Sequence, residues 1–173
     1  CIISSKKYFS PFVEPEFSFV LKEELDISKA PYSSDVISEF ILEVLPSIEL
    51  VDSRYKDWTK VGVNNLIADN AVHAHWIFGK ASKNLNIIDF NNHSVDLFIN
   101  ENLIEKGNSK NVMENPINSL TWLINKLASN GQYLPKNHYV STGTCTKAIP
   151  ISQGDKIKAD FGKLGIINFT FKE

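Results

Sequence analysis

The chain has 173 residues, of which 43% are hydrophobic and 22% charged, and its formal net charge at pH 7 is −2. This length is enough for one well-buried core and short for two, and the composition is that of an ordinary globular domain. The weak net charge argues against nucleic acid or a membrane surface as partner, and no apolar run is long enough to span a bilayer. Two cysteines are too few for a disulfide framework, so the expected setting is a reducing cytoplasm.

The first strongly patterned element is a predicted strand that carries two glutamates one residue apart, Glu14 and Glu16. Because side chains alternate across a strand, both carboxylates share one face, while Val13, Phe17 and Phe19 share the opposite, apolar face. The same alternation is typical of a solvated strand face, which is the plainer interpretation. Two carboxylates held close on a fixed backbone repel, so a shared proton, basic partners or a cation would have to compensate.

A helix is predicted next from about Asp35 to Leu45, where Pro46 stops it, and a second strand-like run follows at once. This second run carries Glu49 among apolar neighbours. The strand–helix–strand order would let the two strands lie side by side and bring Glu49 towards the first pair of acids. Three carboxylates on two rigid strands would suit a hard divalent cation such as Mg²⁺ or Mn²⁺, whereas Glu49 alone would be interpreted as a surface residue.

The rest of the chain predicts a hairpin, a further helix and short C-terminal strands. The hairpin covers residues 94–104, the helix runs from Pro116 or Ile117 to Ser129, and the strands cover 139–141, 156–160 and 166–171. The chain is therefore predicted to be an α+β, strand-rich single domain over residues 1–173 with two or three helices. His73 and His75, two residues apart on an apolar run, raise a histidine metal site as a rival hypothesis, although a neutral histidine at a strand edge is the more common explanation.

Several short motifs follow one another in order along the chain and form a further pattern. They are Val13-Glu14-Pro15-Glu16-Phe17, Ile48-Glu49-Leu50-Val51-Asp52-Ser53-Arg54, Asp57-Trp58, Ala68-Asp69-Asn70-Ala71, the helix segment from Pro116 to Leu127, and Thr142-Gly143-Thr144. Together they resemble the fumarylacetoacetate hydrolase superfamily, and most closely its branch of 2-oxopent-4-enoate hydratases and 4-oxalocrotonate decarboxylases. The resemblance runs from about Phe12 to the end of the chain.

The resemblance implies a fumarylacetoacetate hydrolase-like fold, a twisted sheet rolled into a barrel-like sandwich with flanking helices. It implies Glu14, Glu16 and Glu49 as the ligands of Mg²⁺ or Mn²⁺, the same three acids that strand geometry selects. The implied activity is that of a lyase on a small 2-oxo-enoate, whose carboxylate and keto oxygens chelate the cation while an enolate develops. A homo-oligomer is the expected assembly.

The resemblance also implies four further site residues. Asp69 and Asn70 would be polar catalytic groups, and Gly143 and Thr144 would bind the substrate carboxylate through a backbone amide and a hydroxyl. From the residues alone, Asp69 could equally cap the turn before Ala71, and the segment around Gly143 could be a plain turn at the end of a strand.

The sequence departs from the family pattern at three places. Asn65 stands where an acid is expected, a few residues before Ala68. Val72 and His73 stand where small residues are expected, and their bulk would narrow the pocket. Family members also carry an N-terminal segment before the first acidic strand, and this segment supplies a lysine to the pocket. The domain over 1–173 is expected to lack this segment. Two alternatives stay open beside the lyase: an acylpyruvate hydrolase from the same superfamily and, because of these departures, a catalytically impaired binding or scaffolding module. They also lead us to expect cation binding with poor turnover.

Overall fold

The computed structural model describes residues 1–173 and contains three α-helices and ten β-strands. The helices are α1 (Ser34–Phe40), α2 (Val63–Ala68) and α3 (Pro116–Ser129). The strands are β1 (Ile2–Ser4), β2 (Phe12–Leu21), β3 (Ile41–Val51), β4 (His73–Phe78), β5 (Ser94–Ile99), β6 (Asn102–Asn108), β7 (Tyr139–Thr144), β8 (Ile149–Pro150), β9 (Lys156–Asp160) and β10 (Ile166–Lys172). None of the three helices is long and apolar enough to cross a membrane.

The strands form two sheets that share one hydrophobic cluster. The first sheet has the order β1-β10-β9-β5-β6, and the second has the order β4-β3-β2-β7, with β8 paired to the start of β2. Phe17 of β2 packs edge-on against Phe161, beyond the end of β9, with 5.4 Å between ring centroids, so the core lies between the sheets. This strand-rich architecture with three helices confirms the predicted α+β, barrel-like sandwich.

The predicted helix over residues 35–45 is too long. In the structure α1 ends at Phe40 and the strand β3 begins at Ile41, so Pro46 lies inside a strand. The carbonyl of Pro46 accepts a hydrogen bond from the Gly79 amide at 2.9 Å. Because the N–H and C=O of one strand residue point to the same side, the donor that proline lacks would have faced the end of β4 rather than β2. Pro46 therefore does not disturb the pairing of β3 with β2. This pairing makes residues 41–45 a strand, although their apolar residues have helical spacing.

The other predicted elements are confirmed with small shifts at their ends. The hairpin is β5 and β6, joined through Asn100 and Glu101, which both adopt the positive φ values (50° and 69°) of a tight hairpin turn. Helix α3 begins at Pro116, capped by the side chain of Asn115, and Gly131 follows its end with a φ of 71°.

Candidate metal centre

Strands β2 and β3 pair in antiparallel fashion and bring the three predicted acids together. Glu14 lies directly opposite Glu49 in the register, and Glu16 lies two residues further along the same face of β2. One carboxylate oxygen from each of the three side chains lies within 4.8 Å of the others. The predicted convergence of Glu14, Glu16 and Glu49 is therefore present in the structure, and it follows from strand register alone.

The acidic face of β2 is buried at Glu16 and Ser18 and half-buried at Glu14, so it is not a fully solvated strand face. Glu16 is only 2% exposed and Ser18 is fully buried. Burial and, to a smaller extent, the neighbouring Glu49 charge together raise the pKa of Glu14 to about 7. Burial also raises the pKa of Glu16 to about 7, against the hydrogen bond from Ser141, which lowers it. The folded protein thus holds negative charge at this point only at a free-energy cost.

Strand β7 supplies two groups that hold Glu16. The Ser141 hydroxyl donates to Glu16 Oε2, and a backbone hydrogen bond from Gly143 also favours the ionised carboxylate. A bulge in β7 makes this possible, because Ser18 pairs with Ser141 while Glu16 pairs with Thr144, so that three residues of β7 span two of β2. Gly143 adopts a φ of 110°, which suits glycine. The segment around Gly143 is therefore a bulge within a strand and not a plain terminal turn.

Buried serine hydroxyls continue this polar face beneath the acids. Ser18 Oγ lies 2.7 Å from Ser47 Oγ and donates to Ser141 Oγ at 3.2 Å. The Ser47 hydroxyl also donates to the backbone carbonyl of Glu16 at 3.1 Å. The sequence gives Ser18 the same strand face as the acids, but no local pattern assigns a role to Ser47 or Ser141, which join the network through pairing with β2.

A cavity of about 480 Å³ opens over the carboxylates. Its lining combines the acids Glu16 and Glu49 with polar and aromatic groups from β4 and β7, namely His73, Trp76, Tyr139, Ser141, Thr142 and Gly143. The ring centroids of Trp76 and Tyr139 lie 5.2 Å apart, although their strands occupy opposite edges of the sheet. The sheet therefore curves enough for two aromatic side chains to meet across the acidic face. The volume suits a small organic acid.

His73 and His75 do not share a face, which corrects the basis of the histidine-site hypothesis. His75 pairs with Leu50 and His73 pairs with Val51, because one extra residue, Ala74, bulges out of β4. Consecutive residues of β3 point to opposite faces, so only His73 joins the face of the acids. Its Nδ1 lies 2.6 Å from Glu49 Oε1.

The structure places Asp69 outside the lining of this cavity. Its side chain is 2% exposed and accepts hydrogen bonds from Ser53 Oγ at 2.7 Å, from the Arg54 amide at 3.2 Å and from Arg54 Nε. The hydrogen bond from Ser53 is the main reason that the pKa of Asp69 lies below its ordinary value. Asn70 follows in an exposed turn with a φ of 54°. A catalytic role for Asp69 and Asn70 stays a prediction.

Replacing Asp69 with asparagine is expected to lower the melting temperature by a few degrees. The neutral amide weakens the charge-assisted bonds from Arg54, and its NH₂ group replaces one of the two acceptor oxygens that Ser53 and Arg54 use. Thermal unfolding followed by circular dichroism checks this. Asp57→Asn, in the neighbouring loop where Asp57 makes no side-chain cap, is the matched control and should melt like the wild type. Equal melting temperatures for both variants would contradict the prediction.

Thr144 does not line the cavity either. Its hydroxyl contacts that of Thr146 at 3.4 Å and accepts a bond from the Thr146 amide at 3.3 Å. Gly143 does line the cavity, where its backbone forms a hydrogen bond to the carboxylate of Glu16. Substrate binding by Gly143 and Thr144 stays a prediction.

The two-sheet architecture is that of the fumarylacetoacetate hydrolase-like fold. A protein of Yersinia pestis described as belonging to that family superposes with a TM-score of 0.73 at 17% identity, over 98% of this chain and 76% of its own, which shows the fold alone. 4-Oxalocrotonate decarboxylase from Pseudomonas putida G7, complexed with magnesium and adipate, superposes with a TM-score of 0.90 at 29% identity, over 98% of this chain and 64% of its own. No family model matches the chain.

Curated relatives carry names from the same branch. A 4-oxalocrotonate decarboxylase of Pseudomonas putida is 29% identical over 170 residues, which is 98% of this chain and 63% of that protein. The 2-keto-4-pentenoate hydratase 1 of Dechloromonas aromatica is 26% identical over 98% of this chain and 64% of its own length. These matches confirm the predicted resemblance to the hydratase and decarboxylase branch. The chain spans slightly less than two thirds of the length of these relatives.

Proposed function

We propose that the protein is a divalent-metal-dependent lyase that acts on a small 2-oxo-enoate, as a hydratase or a decarboxylase. The observation that carries this proposal is the convergence of Glu14, Glu16 and Glu49, with one oxygen of each within 4.8 Å, beside a cavity of about 480 Å³. Relatives named as hydratases and decarboxylases, one of them solved with magnesium and an organic diacid, support it.

The donor set fits Mg²⁺ or Mn²⁺. All three groups are carboxylates, which are the hard oxygen ligands that these ions prefer, and they sit on paired strands that fix their spacing. Burial raises the pKa of both Glu14 and Glu16, and neither carboxylate forms an ion pair with a basic side chain. When bound there, a divalent cation would stabilise the negative charge that develops on the oxygens of a 2-oxo acid.

The chain's own residues would orient the acids and shape the substrate pocket. Ser141 and Gly143 hold the carboxylate of Glu16, so its oxygens are fixed before substrate arrives. Trp76 and Tyr139, which meet across the acidic face, both line the cavity and offer aromatic surface against which a flat conjugated acid can stack. The proposal keeps Asp69 and Asn70 as the predicted catalytic polar groups and Gly143 with Thr144 as the predicted binding groups for the substrate carboxylate.

The test is turnover of 2-hydroxypenta-2,4-dienoate, followed by loss of its ultraviolet absorbance with and without Mg²⁺ or Mn²⁺. We expect slow, metal-dependent turnover, since His73 adds bulk beside the acids, and we expect none for Glu16→Gln. Val72 is not among the residues that line the cavity. Release of CO₂ from a 2-oxo-enedioate would identify a decarboxylase, whereas hydration without CO₂ would identify a hydratase.

The same assay separates the alternatives. Release of pyruvate from an acylpyruvate in place of turnover of the dienoate would favour a hydrolase. Cation binding without turnover of any of these substrates would favour a binding or scaffolding module. Metal-independent turnover that survives Glu16→Gln would contradict the assignment of the three acids.

We also propose a homo-oligomer in the cytoplasm. Val63 and Ile67 of α2 are 68% and 69% exposed, which leaves apolar surface available for a second copy. The free thiols of Cys1 and Cys145 favour a reducing compartment. Light scattering coupled to size-exclusion chromatography tests the assembly, and a monomer at all concentrations would contradict it.

A further inference from the structure

The contact between His73 and Glu49 occupies one of the two carboxylate oxygens that Glu49 could offer. His73 Nδ1 lies 2.6 Å from Glu49 Oε1, and both side chains line the cavity. An ionised carboxylate only accepts hydrogen bonds, so Nδ1 must be the protonated nitrogen of this pair. Oε2 of Glu49 has no hydrogen bond from the protein.

A left-handed turn in the backbone immediately before His73 fixes the position of its side chain. Asn70, Ala71 and Val72 adopt successive positive φ values of 54°, 50° and 61°, a left-handed turn that non-glycine residues rarely form. Residues in this conformation persist only where their surroundings enforce it.

Two backbone hydrogen bonds enforce this turn. The Val72 amide donates to the Asp69 carbonyl at 3.0 Å, and the Val72 carbonyl accepts from the Asp52 amide at 2.9 Å. Val72 is itself buried, and Asp69 is tied to Ser53 and Arg54. The turn and the bulge at Ala74 together direct His73 towards Glu49, since a regular strand would have placed it one register position away.

We propose that His73 is a positioning residue that reserves Oε1 of Glu49 and leaves Oε2 for the cation, and that this makes the site select Mg²⁺ or Mn²⁺ against Ca²⁺. The inference rests on the proposed metal-dependent function and adds a residue that determines ion specificity. It concerns how Glu49 is presented, and His73 itself is not a ligand.

The physical basis is the different ligand demand of these ions. Mg²⁺ keeps about six oxygen ligands at about 2.0–2.1 Å in near-octahedral geometry, so it gains from carboxylates that are already oriented to offer one oxygen each. Ca²⁺ is larger, takes about six to eight oxygens at about 2.3–2.6 Å, and often uses both oxygens of a carboxylate. A hydrogen bond that withholds Oε1 of Glu49 therefore supports the smaller ion and denies a ligand to the larger one.

The test compares Mg²⁺ and Ca²⁺ dissociation constants, measured by isothermal titration calorimetry at one pH, for the wild type, His73→Ala, His73→Asn and His75→Ala. In His73→Ala, Mg²⁺ should bind about tenfold more weakly, as is usual when a group that orients a ligand is removed, while Ca²⁺ binds equally well or better. In His73→Asn, the amide nitrogen replaces Nδ1 and should retain most of the selectivity. His75→Ala, on the same strand but the opposite face, is the matched control and should match the wild type.

The outcomes separate this inference from the proposed function. Equal changes in both dissociation constants for His73→Ala, or no change, would overturn the role of His73 while leaving the metal site intact. Failure of the wild type to bind either ion would overturn both. Electron spin-echo measurements on the Mn²⁺ complex provide an independent readout: a positioning role predicts no directly bonded ¹⁴N, and a signal that disappears in His73→Ala would show that His73 is a ligand.

Discussion

Replacing Glu16 with glutamine is expected to weaken Mg²⁺ or Mn²⁺ binding by about 100-fold or more and to leave the fold intact. A neutral amide removes one of three ligand charges, and a hundredfold loss corresponds to about 2.7 kcal/mol. The substitution is nearly isosteric, and the amide oxygen can still accept the hydrogen bond from Ser141. Isothermal titration calorimetry with MnCl₂ measures the effect, and circular dichroism checks the fold.

The matched control is Glu43→Gln. Glu43 lies on β3, the strand that carries Glu49, but it pairs with Val20 and is not part of the carboxylate cluster. Its substitution should leave cation affinity unchanged. If Glu16→Gln bound Mn²⁺ as tightly as the wild type, Glu16 would be a buried acid without a role in metal binding.

The proximity of the three acids could be predicted from the sequence. Alternation of apolar and acidic residues placed Glu14 and Glu16 on one face, and the strand–helix–strand order favoured two neighbouring strands, which brings Glu49 towards this pair. The register that sets Glu49 directly opposite Glu14 is a finding of the structure. Both inferences depend only on the geometry of a strand and on chain connectivity. The predicted helix between the strands is five residues too long, because pairing with β2 makes β3 begin at Ile41. This error does not affect either inference.

The surroundings of the acids could not be predicted in the same way. Ser141 reaches Glu16 from 125 residues away, and only the tertiary fold makes them neighbours. The role of His73 depends on an extra residue in β4, which shifts the period-two pattern and separates it from His75. A bulge needs no characteristic residue, and the left-handed turn before His73 contains no glycine that would signal it.

The metal-free protein is expected to lose stability as pH rises from about 4.5 to 8, in contrast to proteins whose carboxylates form ion pairs. Glu14 and Glu16 have pKa values of about 7 in the folded chain and ordinary values near 4.5 when unfolded. Between these values the folded protein binds more protons than the unfolded chain, so the free energy of unfolding decreases as pH increases. The contribution is fully present below pH 4.5 and is lost as pH rises through 7.

The size of this effect can be estimated from the two shifts. Each pKa unit corresponds to about 1.4 kcal/mol, so the two shifts sum to about 7 kcal/mol. Because solvent screens Glu14 and the charge of Glu14 is itself one cause of the raised pKa of Glu16, we discount this sum by about half, to about 2–4 kcal/mol. For a chain of this length that is a fall in melting temperature of roughly 5–15 °C. Differential scanning fluorimetry in the presence of a chelator, at pH values from 5 to 8, measures it.

Two controls identify the acids as the cause of the decline. Glu16→Gln removes one of the two titrating groups and also its charge beside Glu14. The melting temperature of this variant should therefore fall much less between pH 5 and 8 than that of the wild type. Added Mg²⁺ should raise the melting temperature of the wild type most at pH 8, because cation binding requires ionised carboxylates and stabilises only the folded state. A wild-type melting temperature that stays constant or rises up to pH 8 in chelator would contradict this prediction. Glu14 and Glu16 would then ionise without a free-energy cost that a bound cation could offset.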